Sequence, residues 1–62
     1  MNELADKILA YRATENISLK EMARRCNVTL QTIRNIETGV QDPSRVTRKK
    51  ILLVIGEEED ES

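Results

Sequence analysis

The four residues Ser18-Leu19-Lys20-Glu21 leave the backbone little choice. A serine followed three residues later by a glutamate is a capping box. The serine hydroxyl accepts from the Glu21 amide, and the Glu21 carboxylate reaches back to the Ser18 amide. A helix therefore starts at this point. Ile17 before the cap is placed to staple onto Met22, and Leu19, Met22, Ala23 and Cys26 recur at helical spacing until Asn27 ends the run. Thr29 offers the next cap. From Leu30 to Thr38, Ile33 and Ile36 fall on one face and Gln31, Thr32, Arg34 and Asn35 on the other, before Gly39 stops the helix. Only about three residues separate the two helices, which predicts a tight turn.

Both flanks add a helix. Leu4, Ile8 and Tyr11, with Ala5 and Leu9 beside them, give an amphipathic stretch over 3–13, and Asn16 suits the left-handed residue that follows a helix end. After the turn-forming segment VQDPS, Ser44 can cap a helix from Arg45 to Ile55. Its apolar positions Val46, Ile51, Leu52, Leu53, Val54 and Ile55 are wider than one stripe, so part of this surface is expected to meet a second subunit. With no strand-like alternation and no internal repeat, the chain reads as all-α, a compact bundle of four to five helices over 1–56. Glu57 to Ser62 form an acidic tail, expected to stay extended and mobile because its charges repel.

At 62 residues there is room for one small core, worth only about 3–5 kcal/mol. A single cysteine and no histidine exclude an internal disulfide and the usual metal ligands, so stability must come from helix packing. Cys26 is expected to pack as a small apolar residue without a redox role. Tyr11, the lone aromatic, is expected in the core or at an interface. No Ser/His/Asp arrangement, glycine-rich phosphate loop or paired metal ligands occur, so neither an enzyme nor a cofactor is expected. The first residues, MNELADKILAYRA, carry four charges among the apolar ones and resemble neither a signal peptide nor a membrane span, which suggests a cytoplasmic protein. The net charge is −1, but five of the eleven acids lie in 57–61; residues 1–56 hold ten basic and six acidic residues, a balance of +4.

A capped helix, a three-residue turn and a polar-faced helix together resemble the Cro/phage-repressor (XRE-type) helix-turn-helix family. The resemblance is carried by Ser18-Leu19-Lys20-Glu21-Met22-Ala23, Asn27-Val28-Thr29, Thr32-Ile33, Ile36-Glu37-Thr38-Gly39 and Pro43-Ser44, and covers about Ile8 to Gly56. It implies a lambda-repressor-like domain whose third helix reads a double-stranded DNA operator, acting as a small transcriptional regulator, a repressor such as those of phages or mobile elements. It also implies a homodimer, at least on DNA. Ala23 matches the small site where the second and third helices cross. Arg12 and Glu37 match positions that form an ion pair between the first and third helices, a structural pair that orients the third.

The major groove is roughly 12 Å wide, admits a helix and displays a distinct donor and acceptor pattern for each base pair. Gln31 is the first candidate for base readout, since its amide can pair with adenine. Arg34, by forking to guanine or holding a phosphate, and Asn35, by an adenine pairing, come next. Thr32 could touch a base or a thymine methyl. Leu30 is apolar where the family often has a polar reader, which suggests a thymine methyl contact or none. For phosphates the candidates are the Leu19 amide, Lys20, Thr38, Arg45 and Arg48, near helix ends where unpaired amides favour anions. The family often carries Gln where this chain has Leu19, and basic residues where it has Val40, Gln41 and Asp42; both departures weaken the phosphate clamp. Arg24, Arg25, Lys49 and Lys50 are equally well read as solubilising charge. The competing function is a protein-interaction module, an antitoxin or phage accessory protein working through the 45–55 helix, in which the acidic tail could also fold back and compete with DNA.

Overall fold

The computed structural model describes residues 3–56 as four helices: α1 Glu3–Glu15, α2 Leu19–Cys26, α3 Leu30–Glu37 and α4 Arg45–Ile55. There is no strand among the described residues. The acidic segment 57–62 lies outside them.

Each of the last three helices opens on a hydroxyl. Ser18, Thr29 and Ser44 have extended backbones and accept from the amides of Glu21 at 3.0 Å, Thr32 at 3.1 Å and Thr47 at 3.2 Å. These bonds satisfy amides that a helix start leaves unpaired. At Ser18 only half of the expected capping box is made. The Glu21 carboxylate turns away from the Ser18 amide and takes Arg24 and Arg25, because two guanidiniums one turn along the same helix offer charge-assisted bonds.

The first three helices end alike. Asn16, Asn27 and Gly39 hold φ of 57°, 57° and 78°, and at each the next amide folds back onto the last turn: Ile17 on the Arg12 carbonyl, Val28 on Ala23 and Val40 on Asn35, each at 3.0 Å. This is the Schellman arrangement, and the left-handed residue it needs is why asparagine or glycine stands there. It carries α1 two residues past its expected end at 13. The residue after the reversal then packs inward at Ile17 and Val28. Val40 does the opposite and is 74% exposed.

All four helices feed one core: Leu4 and Ile8 from α1, Met22, Ala23 and Cys26 from α2, Ile33 and Ile36 from α3, Ile51 and Leu52 from α4. Tyr11, Leu19, Val54 and Ile55 pack on its edge. The wide apolar run of α4 is thus mostly consumed within the chain, and Leu52 cannot meet a second subunit. What remains outside is Leu53 and, seven residues earlier on the same helical face, Val46. Leu9, expected beside the core, is also largely exposed.

Candidate nucleic-acid interface

The pair α2–α3 packs more extensively than any other two helices. Ala23 is buried in the core that the two helices share. Met22 and Ile33, both fully buried, and Cys26 and Ile36 fill the space between the pair and the other helices. Burial also pushes the Cys26 thiol upward, since a thiolate would be desolvated. That leaves it an apolar filler.

The direction of α3 is fixed a second time at its far end. One Arg12 guanidinium nitrogen donates to both Glu37 carboxylate oxygens, at 3.0 and 2.8 Å, and the Arg12 Nε donates to the Ile17 carbonyl at 3.3 Å. The two side chains keep 24% and 13% of their exposure, so the bridge is shielded from solvent without being fully desolvated. It connects α1 to the end of α3, while the Thr29 cap holds the start.

Between those anchors α3 presents Leu30, Gln31 and Arg34 to solvent, with Thr32 and Asn35 half-buried at the edges of that face. Arg34 makes no ion pair among the described residues, which leaves its guanidinium donors available. Gln31 donates from Nε2 to the Asn35 Oδ1 at 2.8 Å, and Asn35 donates from Nδ2 to the Gln41 Oε1 at 3.2 Å. The Thr32 hydroxyl is shared with that of Thr29 at 2.8 Å, and Thr32 lines a groove of about 160 Å³ with Asn35, Gln41, Pro43 and Thr47. Its side chain is therefore turned toward the loop and α4, less freely outward than Gln31.

The phosphate candidates do not all gather beside this face. Lys20 and Arg45 are exposed in the first turns of α2 and α4 and form no ion pair among the described residues. The Leu19 amide belongs to the open first turn above Ser18, although its side chain packs inward. Thr38 gives its hydroxyl proton to the Arg34 carbonyl at 2.9 Å. Arg48 is half-buried and lines a hollow of about 660 Å³ together with Glu3, Asp6, Glu37 and Asp42, a lining that includes none of Leu30, Gln31, Arg34 or Asn35.

Two features could not be read from the pattern of residue types. The first is the tie between Arg25 and α1. Arg25 donates to Glu21 at 2.9 Å, to the Tyr11 hydroxyl at 3.1 Å and to Glu15 at 3.2 Å, so it braces α2 on α1 and does not merely carry surface charge. Hydrogen bonds from Arg24 and then Arg25 hold the Glu21 carboxyl at about 2, down from 4.5, and both guanidiniums are shifted upward chiefly by Glu21. The second is Gln41, whose side chain joins the α3 amides across six residues. No helical spacing anticipates that contact, because it depends on the reversal at Gly39.

Among the described residues no helix is long and apolar enough to cross a membrane. A family model described as helix-turn-helix matches residues 8–62, which takes in most of α1 and all of α2, the turn, α3 and α4. No curated protein and no solved structure gives a match.

Proposed function

This chain belongs to the Cro/phage-repressor (XRE-type) helix-turn-helix family of DNA-binding regulators, and from that premise we propose that it is a sequence-specific repressor that lays α3 in the major groove of a double-stranded operator. The observation that carries this reading is the different fate of the arginines on the two motif helices. Arg24 and Arg25 of α2 are bound within the chain, whereas Arg34 of α3 is exposed, with no ion pair among the described residues, beside the exposed amide of Gln31. Gln31 suits adenine and Arg34 suits guanine or a phosphate. Leu30, still 37% exposed at the start of α3, suits a thymine methyl. Lys20, Arg45 and the amides opening α2 would hold the flanking phosphates and set the register without reading sequence. Such a regulator would work in the cytoplasm, on nucleoid DNA.

We also propose that two copies assemble on the operator. Leu53 and Val46, the large apolar side chains that α4 leaves exposed, would contribute to that contact, and the DNA would supply the rest of the energy. The same two side chains are the observation that favours the second reading, a protein partner docked on α4.

Selection from random duplexes at physiological salt, run beside a Gln31→Ala, Asn35→Ala double variant, tests the proposal. The expected result is a motif of two inverted half-sites about one helical turn apart, lost in the variant. A folded chain that enriches no sequence would contradict it and shift weight to the protein partner.

A further inference from the structure

We infer that Gln41, in the loop after α3, is a specificity-determining positioning residue, and that Gln31, Asn35 and Gln41 act as a single base-reading unit. The inference rests on the operator reading above and deepens it.

The loop is built to bring Gln41 to this place. Gly39, at φ 78°, reverses the chain, and the amides of Val40 and Gln41 both donate to the Asn35 carbonyl, at 3.0 and 3.3 Å. The backbone of Gln41 is thus pinned to the same residue that its side chain meets. The side-chain bonds have a direction. Gln31 donates a side-chain N–H to the Asn35 oxygen, and Asn35 donates one to the Gln41 oxygen. With the Gln41 oxygen on its Nδ2, the Asn35 amide presents Oδ1 to Gln31. Gln31 must then present Nε2 to Asn35. One Gln31 N–H and its oxygen remain outward, and these are the donor and acceptor that pair with adenine N7 and N6.

Asn35 is half-buried and tethered on both sides, while Gln31 is exposed. Asn35 and Gln41 are therefore supports, and Gln31 makes the contact. A free glutamine can turn its amide over and face a base with either edge. Holding it in one orientation removes the alternative and the rotamer entropy of choosing, so the support acts on discrimination more than on folding.

The test extends the random-duplex selection to Gln31→Ala, Asn35→Ala, Gln41→Ala and Gln41→Glu, with thermal melts confirming that each folds. The carboxylate introduced by Gln41→Glu keeps an acceptor oxygen for the Asn35 Nδ2, replaces the amide NH₂ with a second acceptor oxygen and adds a negative charge. Gln31→Ala should lose the preference for adenine at one base pair of each half-site, about 5- to 150-fold. Asn35→Ala and Gln41→Ala should weaken the preference at that same base pair, by about 2- to 10-fold, the scale of one hydrogen bond. Gln41→Glu should retain the preference while lowering overall affinity through its added charge. An unchanged preference in Gln41→Ala, or a loss in Asn35→Ala at a different base pair, overturns the inference alone. A native chain that enriches no motif overturns the operator reading and this unit with it.

Discussion

The helices α2 and α3 are built to one plan and end up with opposite surfaces. Each is eight residues long, opens on a hydroxyl that accepts from the amide three residues on, and turns its apolar residues into the same core. Outside, they diverge. On α2 a single carboxylate, Glu21, gathers both arginines, and Arg25 goes on to Tyr11 and Glu15, so both arginines are bound within the chain and only Lys20 is left without an ion pair among the described residues. On α3 the first turn has no acid and Glu37 is engaged by Arg12 on the far side. The outer face keeps Gln31 exposed and Arg34 without an ion pair among the described residues. Where the acids sit, more than where the bases sit, separates a bracing helix from a presenting one.

The shared inner plan sets the largest expected effect. Met22→Ala and Ile33→Ala each remove a fully buried side chain. At about 2–5 kcal/mol apiece, against a core worth about 3–5 kcal/mol, either should unfold the chain at ambient temperature, as circular dichroism in urea would record. If one variant stays folded with little loss, the helices do not carry the core equally. Next comes the bridge that orients α3. Arg12→Ala and Glu37→Ala should each cost about 1–3 kcal/mol, between the exposed and fully buried limits for an ion pair. A double-mutant cycle checks that the pair, and not either side chain alone, is responsible.

The outer difference is broken most simply by exchanging the test between helices. Arg34→Ala should weaken specific DNA binding, by about 1–3 kcal/mol if it forks to guanine, or reduce the salt slope by about one if it holds a phosphate. Arg24→Ala should leave both nearly unchanged, and an equal loss in the two variants would erase the distinction. The smallest effect is acid sensitivity. The Glu21 carboxyl, held at about 2 instead of 4.5, stabilises the fold fully above 4.5 and loses that contribution as pH falls toward 2. The melting temperature should therefore decline across that window, and Glu21→Gln should remove this part of the decline.

The helix starts were legible in the sequence because a cap is a local event: Ser18, Thr29 and Ser44 each need only an amide three residues away. The stops at Asn16, Asn27 and Gly39 were legible for the same reason, since few residues tolerate positive φ. The choice among competing partners was not. Glu21 could answer Ser18 or the arginines, and only the relative geometry of one helical turn decides for the arginines. Likewise the α4 run could not say which members faced inward until α1 and α2 packed on it, which claims Leu52 and leaves Leu53 and Val46 outside. The family resemblance pointed to Arg12 and Glu37, 25 residues apart, and their side chains lie 2.8 Å apart. Gln41 escaped both routes, as a loop residue at a position where the family often has a basic one.

The most direct measurement is amide NMR of the labelled chain titrated with the duplex recovered by selection. Shifts should concentrate on Leu30 to Asn35, the side-chain NH₂ signals of Gln31, Asn35 and Gln41, and the amides of Leu19 and Lys20, with Arg24 and Arg25 little changed. Shifts centred instead on Val46 to Leu53 of α4, with α3 unmoved, would contradict the assignment of α3 as the reading helix.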